Sequence, residues 1–229
     1  MGIARYLAMT ADEFANAPSH PKSVAWMACH FSPYSAGLTN IPKKLPANSL
    51  LILNDSTPPS GQSPIVIAKE LEYSLKKWNC YGLLLDFQRA GCAESLAIIK
   101  ELLKLEFPVC VSETYAKDLD CPVFLPPLPL TTPLSEYISP WQNRQIWLDT
   151  ALSCQGIAVT ENGSKEFPVD TAGKHPLEDK ALHCHYSIVS KQDGFYFTLQ
   201  RTKQDLDDLL AEADELGITL AVGLYQELK

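Results

Sequence analysis

The chain has 229 residues, of which 46% are hydrophobic and 20% charged, the composition of an ordinary globular protein with enough apolar material for one sizeable core. Nineteen basic and twenty-seven acidic residues give a net charge of -8, and no basic cluster exceeds a Lys-Lys pair. Nucleic acid is therefore not an expected partner, because binding its backbone requires a concentrated positive face. No apolar run approaches the roughly 20 residues that span a bilayer, so no membrane role is expected.

The opening residues 1–5 lack the charged and apolar regions of a secretory signal, and we expect a cytoplasmic protein. The seven cysteines form an odd set without any Cys-x-x-Cys spacing, and several lie inside apolar runs. We interpret them as reduced core residues and not as a disulfide or zinc framework. His183 and His185 could share one face of a strand, but no third ligand is identifiable. The sequence therefore predicts neither a metal site nor a cofactor.

Short apolar runs alternate with amphipathic stretches along the chain, a pattern typical of repeated strand-helix units. Predicted strands span residues 5–8, 24–31, 50–54, 81–86, 109–112, 123–125, 146–148 and 220–224. Predicted helices span residues 10–17, 63–78, 93–105 and 202–216, placed by capping residues, a first-turn proline, a terminal glycine and helical apolar spacing.

Two regions interrupt this alternation. Residues 31–48, with three prolines, form a long connection in which no crossover helix is evident, and we interpret it as a candidate lid. Residues 154–198 have the pattern of antiparallel hairpins, with turns at 161–164 and 191–194. The expected fold is a single α/β domain over residues 1–229, a small and irregular (β/α)8 TIM-type barrel. The β-hairpin insertion at 154–198 precedes its last helix and strand.

The segment 81–88, Tyr-Gly-Leu-Leu-Leu-Asp-Phe-Gln, carries the clearest functional signal. Its apolar run is typical of a strand covered on both faces, and it ends in an acid and an amide. Asp86 and Gln88 are two residues apart, so their side chains point the same way. Because α/β barrels bind ligands at the carboxyl ends of their strands, we predict a site at this position.

This segment resembles the fourth strand of the family 18 glycoside hydrolases, the chitinase-like barrels, whose motif there is Asp-Gly-x-Asp-x-Asp-x-Glu. Gly82 and Asp86 match the motif. Tyr81 and Leu84 replace its first two acids, and Gln88 occupies the position of the catalytic glutamate.

Two further segments are similar to the same family. Residues 195–227 resemble its last strand-helix-strand unit, and the resemblance implies that Tyr225 forms the floor of a sugar site. Residues 145–149 are similar to its Met-x-Tyr-Asp strand, with Asp149 retained and Leu148 in place of the tyrosine.

The resemblance implies a sugar-binding shape without chitin hydrolysis. The family's substrate-assisted mechanism requires a carboxylic acid to protonate the leaving oxygen. Gln88 has no titratable proton, and losing a general acid typically removes about two to four orders of magnitude in rate.

The candidate site residues all follow predicted strands. The catalytic candidates are Asp86, Glu113 and Asp149. The ligand-binding candidates are His30, Asn54, Gln88, Arg89, Tyr225 and Glu227. Each has a structural alternative: Asp86 capping a loop or pairing with Arg89, Glu113 in a surface salt bridge, Asp149 as an N-cap, and backbone contacts or simple packing for the others.

Three hypotheses remain open from the sequence. The first is a degenerate barrel that binds a small molecule, carbohydrate or polyol without hydrolysing it. The second is an active glycosidase using Asp86, Glu113 and Asp149, in which a carboxylate separation of about 5 Å suits retaining chemistry and a wider one suits inverting chemistry. The third is a non-catalytic scaffold that binds a partner through residues 126–133 and the insertion. The sequence leaves the oligomeric state open.

Overall fold

The computed structural model describes residues 2–18, 21–34, 37–169 and 176–229. The strands of these residues are, in chain order, β1 (Ala4–Met9), β2 (Val24–Phe31), β3 (Leu38–Thr39), β4 (Leu50–Asn54), β5 (Gly82–Asp86), β6 (Val109–Ser112), β7 (Val123–Leu125), β8 (Ile146–Thr150), β9 (Cys154–Thr160), β10 (Gly163–Phe167), β11 (Leu177–Asp179), β12 (Cys184–Lys191), β13 (Gly194–Gln200) and β14 (Leu220–Leu224). The α-helices are α1 (Ala11–Asn16), α2 (Pro64–Lys77), α3 (Ala93–Leu102), α4 (Glu113–Ala116), α5 (Leu134–Ile138), α6 (Lys203–Glu215) and α7 (Tyr225–Leu228), and a short 3₁₀ helix spans Ser139–Trp141.

Eight parallel strands form a closed barrel, which confirms the predicted fold class. Their order is β1-β14-β8-β7-β6-β5-β4-β2, and β1 also pairs with β2, so the sheet closes on itself. Closure leaves no free edge between the first and last strands of the barrel. All eight strands predicted from the sequence are present.

Side chains alternate between two apolar layers along each barrel strand. In β5, Leu83 and Leu85 belong to the outer cluster between barrel and helices, whereas Leu84 belongs to the cluster inside the barrel. Asp86 lies two residues after Leu84 and therefore also faces the interior, at the carboxyl end. Across the neighbouring strand it is in register with Asn54.

Helices α2 and α6 show why these segments fold as they do. Pro64 begins α2, where its missing N–H costs no hydrogen bond, and the helix buries a stripe against the barrel. Thr202 caps α6 in a capping box with Asp205. Ser63 makes no side-chain cap, and α3 ends at Leu102 instead of the predicted residue 105.

The long connection after β2 occupies the place of a crossover helix. Within its described part, residues 31–34 and 37–48, β3 pairs antiparallel with β2, and the Leu38 N–H donates to Glu70 of α2 at 3.1 Å. Leu45 is buried in the outer cluster. This part runs along the outside of the barrel, with residue 38 beside α2 and residues 40–44 beside α1. None of its residues is among those that line the cavities at the carboxyl end of the barrel, so the lid interpretation is wrong for it. Residues 35–36 lie outside the described residues.

The predicted insertion is a five-stranded antiparallel sheet in the order β10-β9-β13-β12-β11. It extends to Gln200, two residues beyond the predicted end, while residues 170–175 lie outside the described part. Its inner side packs on the barrel through a small cluster of Leu130, Cys184 and Leu199. Arg201, which follows β13, is buried and donates to the carbonyl of Leu128 at 2.8 Å.

None of the helices in residues 2–18, 21–34, 37–169 and 176–229 has the length and apolar character that crossing a bilayer demands.

Replacing Gly82 with alanine tests the close approach of β5 to the loop before β6. A Cβ at Gly82 would lie 2.5 Å from the carbonyl oxygen of Pro108, which accepts the Leu83 N–H at 2.9 Å. We expect Gly82→Ala to lower the free energy of unfolding by about 1–3 kcal/mol, because the backbone must shift. Denaturant titration measures this change.

Gly2→Ala is the matched control, since a Cβ there meets nothing within 4 Å. Its effect should stay within about 0.5 kcal/mol. Equal effects of the two substitutions would show that the space between Gly82 and the Pro108 carbonyl accepts a Cβ without a backbone shift.

Candidate functional site

A cavity of about 540 Å³ opens at the carboxyl end of the barrel. Small residues such as Ala8 and Gly223 line it there, while the large ring of Trp147 fills the interior at the opposite end. Its apolar lining is formed by Ala8, Met27, Ile52, Leu84, Phe124, Val222 and Leu224. Its polar lining is formed by Asn54, Asp55, Ser56, Asp86, Gln88, Arg89 and Asp149.

A second cavity of about 230 Å³ adjoins the first and shares four of its lining residues, Asp86, Gln88, Phe124 and Asp149. It adds Ser112, Glu113, Pro126 and Pro127. The three predicted catalytic candidates, Asp86, Glu113 and Asp149, therefore lie at one mouth, contributed by β5, the start of α4 and β8.

The amide of Gln88 is held against Asp86. Gln88 Nε2 donates to Asp86 Oδ1 at 2.5 Å, as expected for two residues that point the same way. Arg89, the alternative partner of Asp86, directs its guanidinium to backbone carbonyls. The position at which the resemblance places a proton donor instead supplies an amide that fixes the neighbouring carboxylate.

Asp55 organises this loop, and the sequence analysis did not select it. Its buried carboxylate accepts the backbone N–H groups of Gln88 at 2.9 Å and Arg89 at 3.0 Å. The Arg89 side chain returns to the β4 end, donating to the carbonyls of Asp55 at 2.9 Å and Ser56 at 3.0 Å. The available signal was an acid directly after the strand 50–54, the same criterion that selected Asp86.

The loop is also held from the β6 side. Ser112 Oγ donates to the carbonyl of Phe87 at 2.6 Å, and the Tyr115 hydroxyl donates to the carbonyl of Arg89. The backbone of residues 87–89 is thus held by hydrogen bonds at the ends of both β4 and β6. The position from which the Gln88 side chain projects is therefore fixed. Such preorganisation lowers the entropic cost of binding a ligand.

Burial and crowding of acids shift the protonation of the mouth. Burial raises the pKa of Asp149 to about 7, with Asp86 and Glu227 adding to the effect against the hydrogen bond from the Thr150 N–H. Burial also raises the pKa of Asp86. The hydrogen bond from Gln88 lowers this pKa, and the charge of Asp55 raises it further, with the net shift upward. Asp149 therefore holds a proton over an appreciable part of the neutral range, and it can donate a hydrogen bond that an ionised carboxylate cannot.

Tyr137 is a second residue that the sequence analysis missed. Its hydroxyl donates to the carbonyl of Pro126 at 2.9 Å, beside the second cavity. Burial raises its pKa, and Glu113 and Asp149 raise it further, so the phenol stays neutral. No signal in the sequence marked it, because α5 has only five residues and follows an irregular proline-rich segment.

Three predicted ligand contacts are not among the residues that line these two cavities. His30 lies in β2 in register with Asn54, and its carbonyl accepts the Thr39 hydroxyl at 3.3 Å. Tyr225 begins α7, beyond the last strand, and packs against the outer cluster. Glu227 accepts the Leu152 N–H at 3.3 Å and acts on the mouth through its charge near Asp149.

Over the described ranges, no group of three or more His, Cys, Asp or Glu side chains is arranged to hold a metal ion. His183 and His185 instead contact separate carboxylates of α6, Glu212 at 2.5 Å and Asp205 at 3.0 Å.

Asp149→Asn tests the protonation of the mouth. A carboxyl group whose pKa is higher in the folded state than in the unfolded chain destabilises the fold as pH rises from about 4 through 7. We therefore expect Asp149→Asn to raise the free energy of unfolding at pH 8 by roughly 1–3 kcal/mol and to leave it nearly unchanged at pH 4. Denaturant titrations at both pH values measure the difference.

Asp118→Asn, an exposed acid on the loop before β7, is the control and should change neither value. Equal stabilisation by Asp149→Asn at both pH values would exclude a raised pKa as its cause.

No protein-family model matches the sequence, and no characterised protein is found as a sequence relative. Solved structures, however, share the fold over nearly the whole chain. A chitinase-like agglutinin from Robinia pseudoacacia has 13% identity and a TM-score of 0.59, covering 98% of this chain and 95% of its own. A family 18 N-acetylglucosaminidase from Paenibacillus barengoltzii has 8% identity and a TM-score of 0.55, covering 98% and 96%.

A chitinase from a Paenibacillus species has a TM-score of 0.64 at 10% identity and covers 97% of this chain but 41% of its own. At these identities the likeness concerns the fold. The chain is thus structurally similar, over nearly its full length, to family 18 chitinases and chitinase-like proteins, as the segment 81–88 led us to expect.

Proposed function

We propose that the protein binds a carbohydrate or related polyol at the mouth of the barrel. The observation that carries this proposal is the 540 Å³ cavity, in which an apolar lining lies beside a set of fixed polar side chains. Sugars present hydroxyl groups along their edges and C–H groups on their faces. A cavity with both kinds of lining offers a partner to each.

The polar lining suits hydroxyl recognition. Asn54 and Gln88 offer amide groups, and Asp86 and Asp149 offer carboxyl oxygens. Phe124 supplies an aromatic surface between the two cavities. The structural neighbours include chitinases and a chitinase-like agglutinin, which supports a carbohydrate as the class of ligand.

Under this proposal the ligand is bound without the family 18 hydrolytic step. Gln88 stands where the proton donor would be, and its amide already binds Asp86. An amide donates a hydrogen bond but transfers no proton to a leaving oxygen. The mouth then acts as a receptor for the sugar.

Calorimetric titration with N-acetylglucosamine oligomers, glucose oligomers and sugar alcohols tests the receptor. We expect one of these classes to bind. Gln88→Ala should weaken that binding about tenfold, because a hydrogen bond to the ligand is lost and Asp86 is no longer held in place.

Gln145→Ala is the matched control, because this exposed glutamine precedes β8 at the opposite end of the barrel, where it contacts Thr219. The affinity of this variant for the bound sugar should equal that of the parent protein. Binding that is indifferent to Gln88→Ala would place the ligand elsewhere.

A second candidate function, an active glycosidase, is favoured by the protonation of Asp149. A carboxyl group with a pKa of about 7 is suited to general acid catalysis near neutral pH, and Asp86 and Glu113 are available at the same mouth as base or nucleophile.

Hydrolysis of a panel of aryl glycosides separates this candidate from the receptor. If the glycosidase is correct, the turnover number falls as pH rises through about 7, because Asp149 loses its proton. Asp149→Asn and Glu113→Gln should each reduce turnover by about 10²–10⁴-fold, while Asp118→Asn should not. Absence of turnover across the panel, with sugar binding retained, leaves the receptor.

A further inference from the structure

Two histidine–carboxylate contacts join the insertion to α6. His183 Nε2 lies 2.5 Å from Glu212 Oε2, and His185 Nδ1 lies 3.0 Å from Asp205 Oδ2. Asp205 and Glu212 are seven residues apart, so they lie two turns apart on one face of the helix. The start of β12 is therefore bridged to α6 at two points along the helix.

Arg201 supports the same junction from beneath. Its buried guanidinium donates to the carbonyls of His183 at 3.2 Å and Leu182 at 3.3 Å, as well as to Leu128 on the barrel rim. His183 itself has a positive φ of 47°, a conformation that few residues other than glycine adopt. This strained turn persists because the contacts of its carbonyl and imidazole hold it in place.

Negative groups dominate the surroundings of both imidazoles. Asp205 of α6 and Glu178 of β11 act on His185. His183 shares a cavity of about 250 Å³ with Glu178, Asp179, Lys180, Asp205 and Asp208, and Glu212 contacts its ring. Lys180 is the one lysine among those residues, and the Arg201 side chain is directed to backbone carbonyls. The setting of His185 therefore favours its protonated, cationic imidazole.

We propose that His185 and Asp205 form a pH-sensitive latch that fixes the β-sheet insertion to α6 when His185 is protonated and loosens it when His185 is neutral. The latch is independent of the proposed sugar site, since neither histidine lines the mouth cavities. Protonated imidazoles make charge-assisted hydrogen bonds to carboxylates, and these are stronger than the bonds of neutral imidazoles.

The pH window follows from the direction of the shifts. The hydrogen bond that His185 donates to Asp205 raises the pKa of His185, so the stabilisation is complete below the ordinary pKa of histidine, about 6.5, and is lost as pH rises through the raised value. On the acid side, hydrogen bonds from Thr202 and His185 lower the pKa of Asp205 in spite of its burial. That contribution persists until pH falls through the lowered value.

Hydrogen exchange of the full-length chain at pH 5.5 and pH 8.5 tests the latch. After correction for intrinsic exchange rates, we expect protection of the amides of residues 183–187 to be about fivefold lower at pH 8.5, the difference between a charged and a neutral hydrogen bond. The β9–β10 hairpin, residues 154–167, serves as the internal reference and should show no such change.

His185→Gln assigns the effect to this imidazole, because glutamine keeps a hydrogen-bond donor for Asp205 but carries no charge. The His185 side chain is 32% exposed, so its substitution disturbs little packing. This variant should show the low protection at both pH values. Glu215→Gln, an exposed acid on α6, is the control for a change of charge on the helix and should behave like the parent protein.

Two results would overturn the latch. One is protection of residues 183–187 that does not differ between pH 5.5 and pH 8.5 in the parent chain. The other is a pH dependence that survives unchanged in His185→Gln, which would assign the titration to other groups.

Discussion

The alternation of side chains along closed parallel strands is the constraint on which the rest of this structure depends. Once β1 pairs with both β14 and β2, every second residue of each strand must face a common interior. Leu84 then packs inside the barrel, and Asp86 can only project into its mouth. The same rule brings Asp149 from β8 to that place, although the two acids are 63 residues apart in the chain. A pair of acids remote in sequence becomes a single electrostatic unit.

The chemistry of the mouth arises from how few counter-charges accompany those acids. Arg89 is the basic side chain that lines the larger cavity, and its guanidinium is directed to the carbonyls of Asp55 and Ser56. Burial without a cationic partner raises the pKa of Asp149 to about 7, well above that of an ordinary aspartate. The fold neighbours share the barrel, but these protonation states belong to the side chains of this chain.

Most of the barrel was predictable from the sequence because its strands are continuous apolar runs that end in polar residues. The same criterion located Asp86, Glu113 and Asp149, whose positions follow directly from a strand end. It failed for Tyr225, because the strand stops at Leu224 and the aromatic ring begins a helix that packs outward. Contacts made through loops, such as those of Asp55 and Tyr137, depend on where remote segments meet. The periodicity of a single sequence carries no information about contacts between remote segments.

One oxygen atom, Oδ2 of Asp205, accepts hydrogen bonds from the Thr202 N–H, the Thr202 hydroxyl and the His185 ring. Initiation of α6 and attachment of the insertion are consequently not separable properties of this chain. Substitutions at positions 202 and 185 should be epistatic, since each changes how strongly the shared acceptor serves the other donor. Positions 185 and 202 are therefore constrained to change together, whatever ligand the barrel holds.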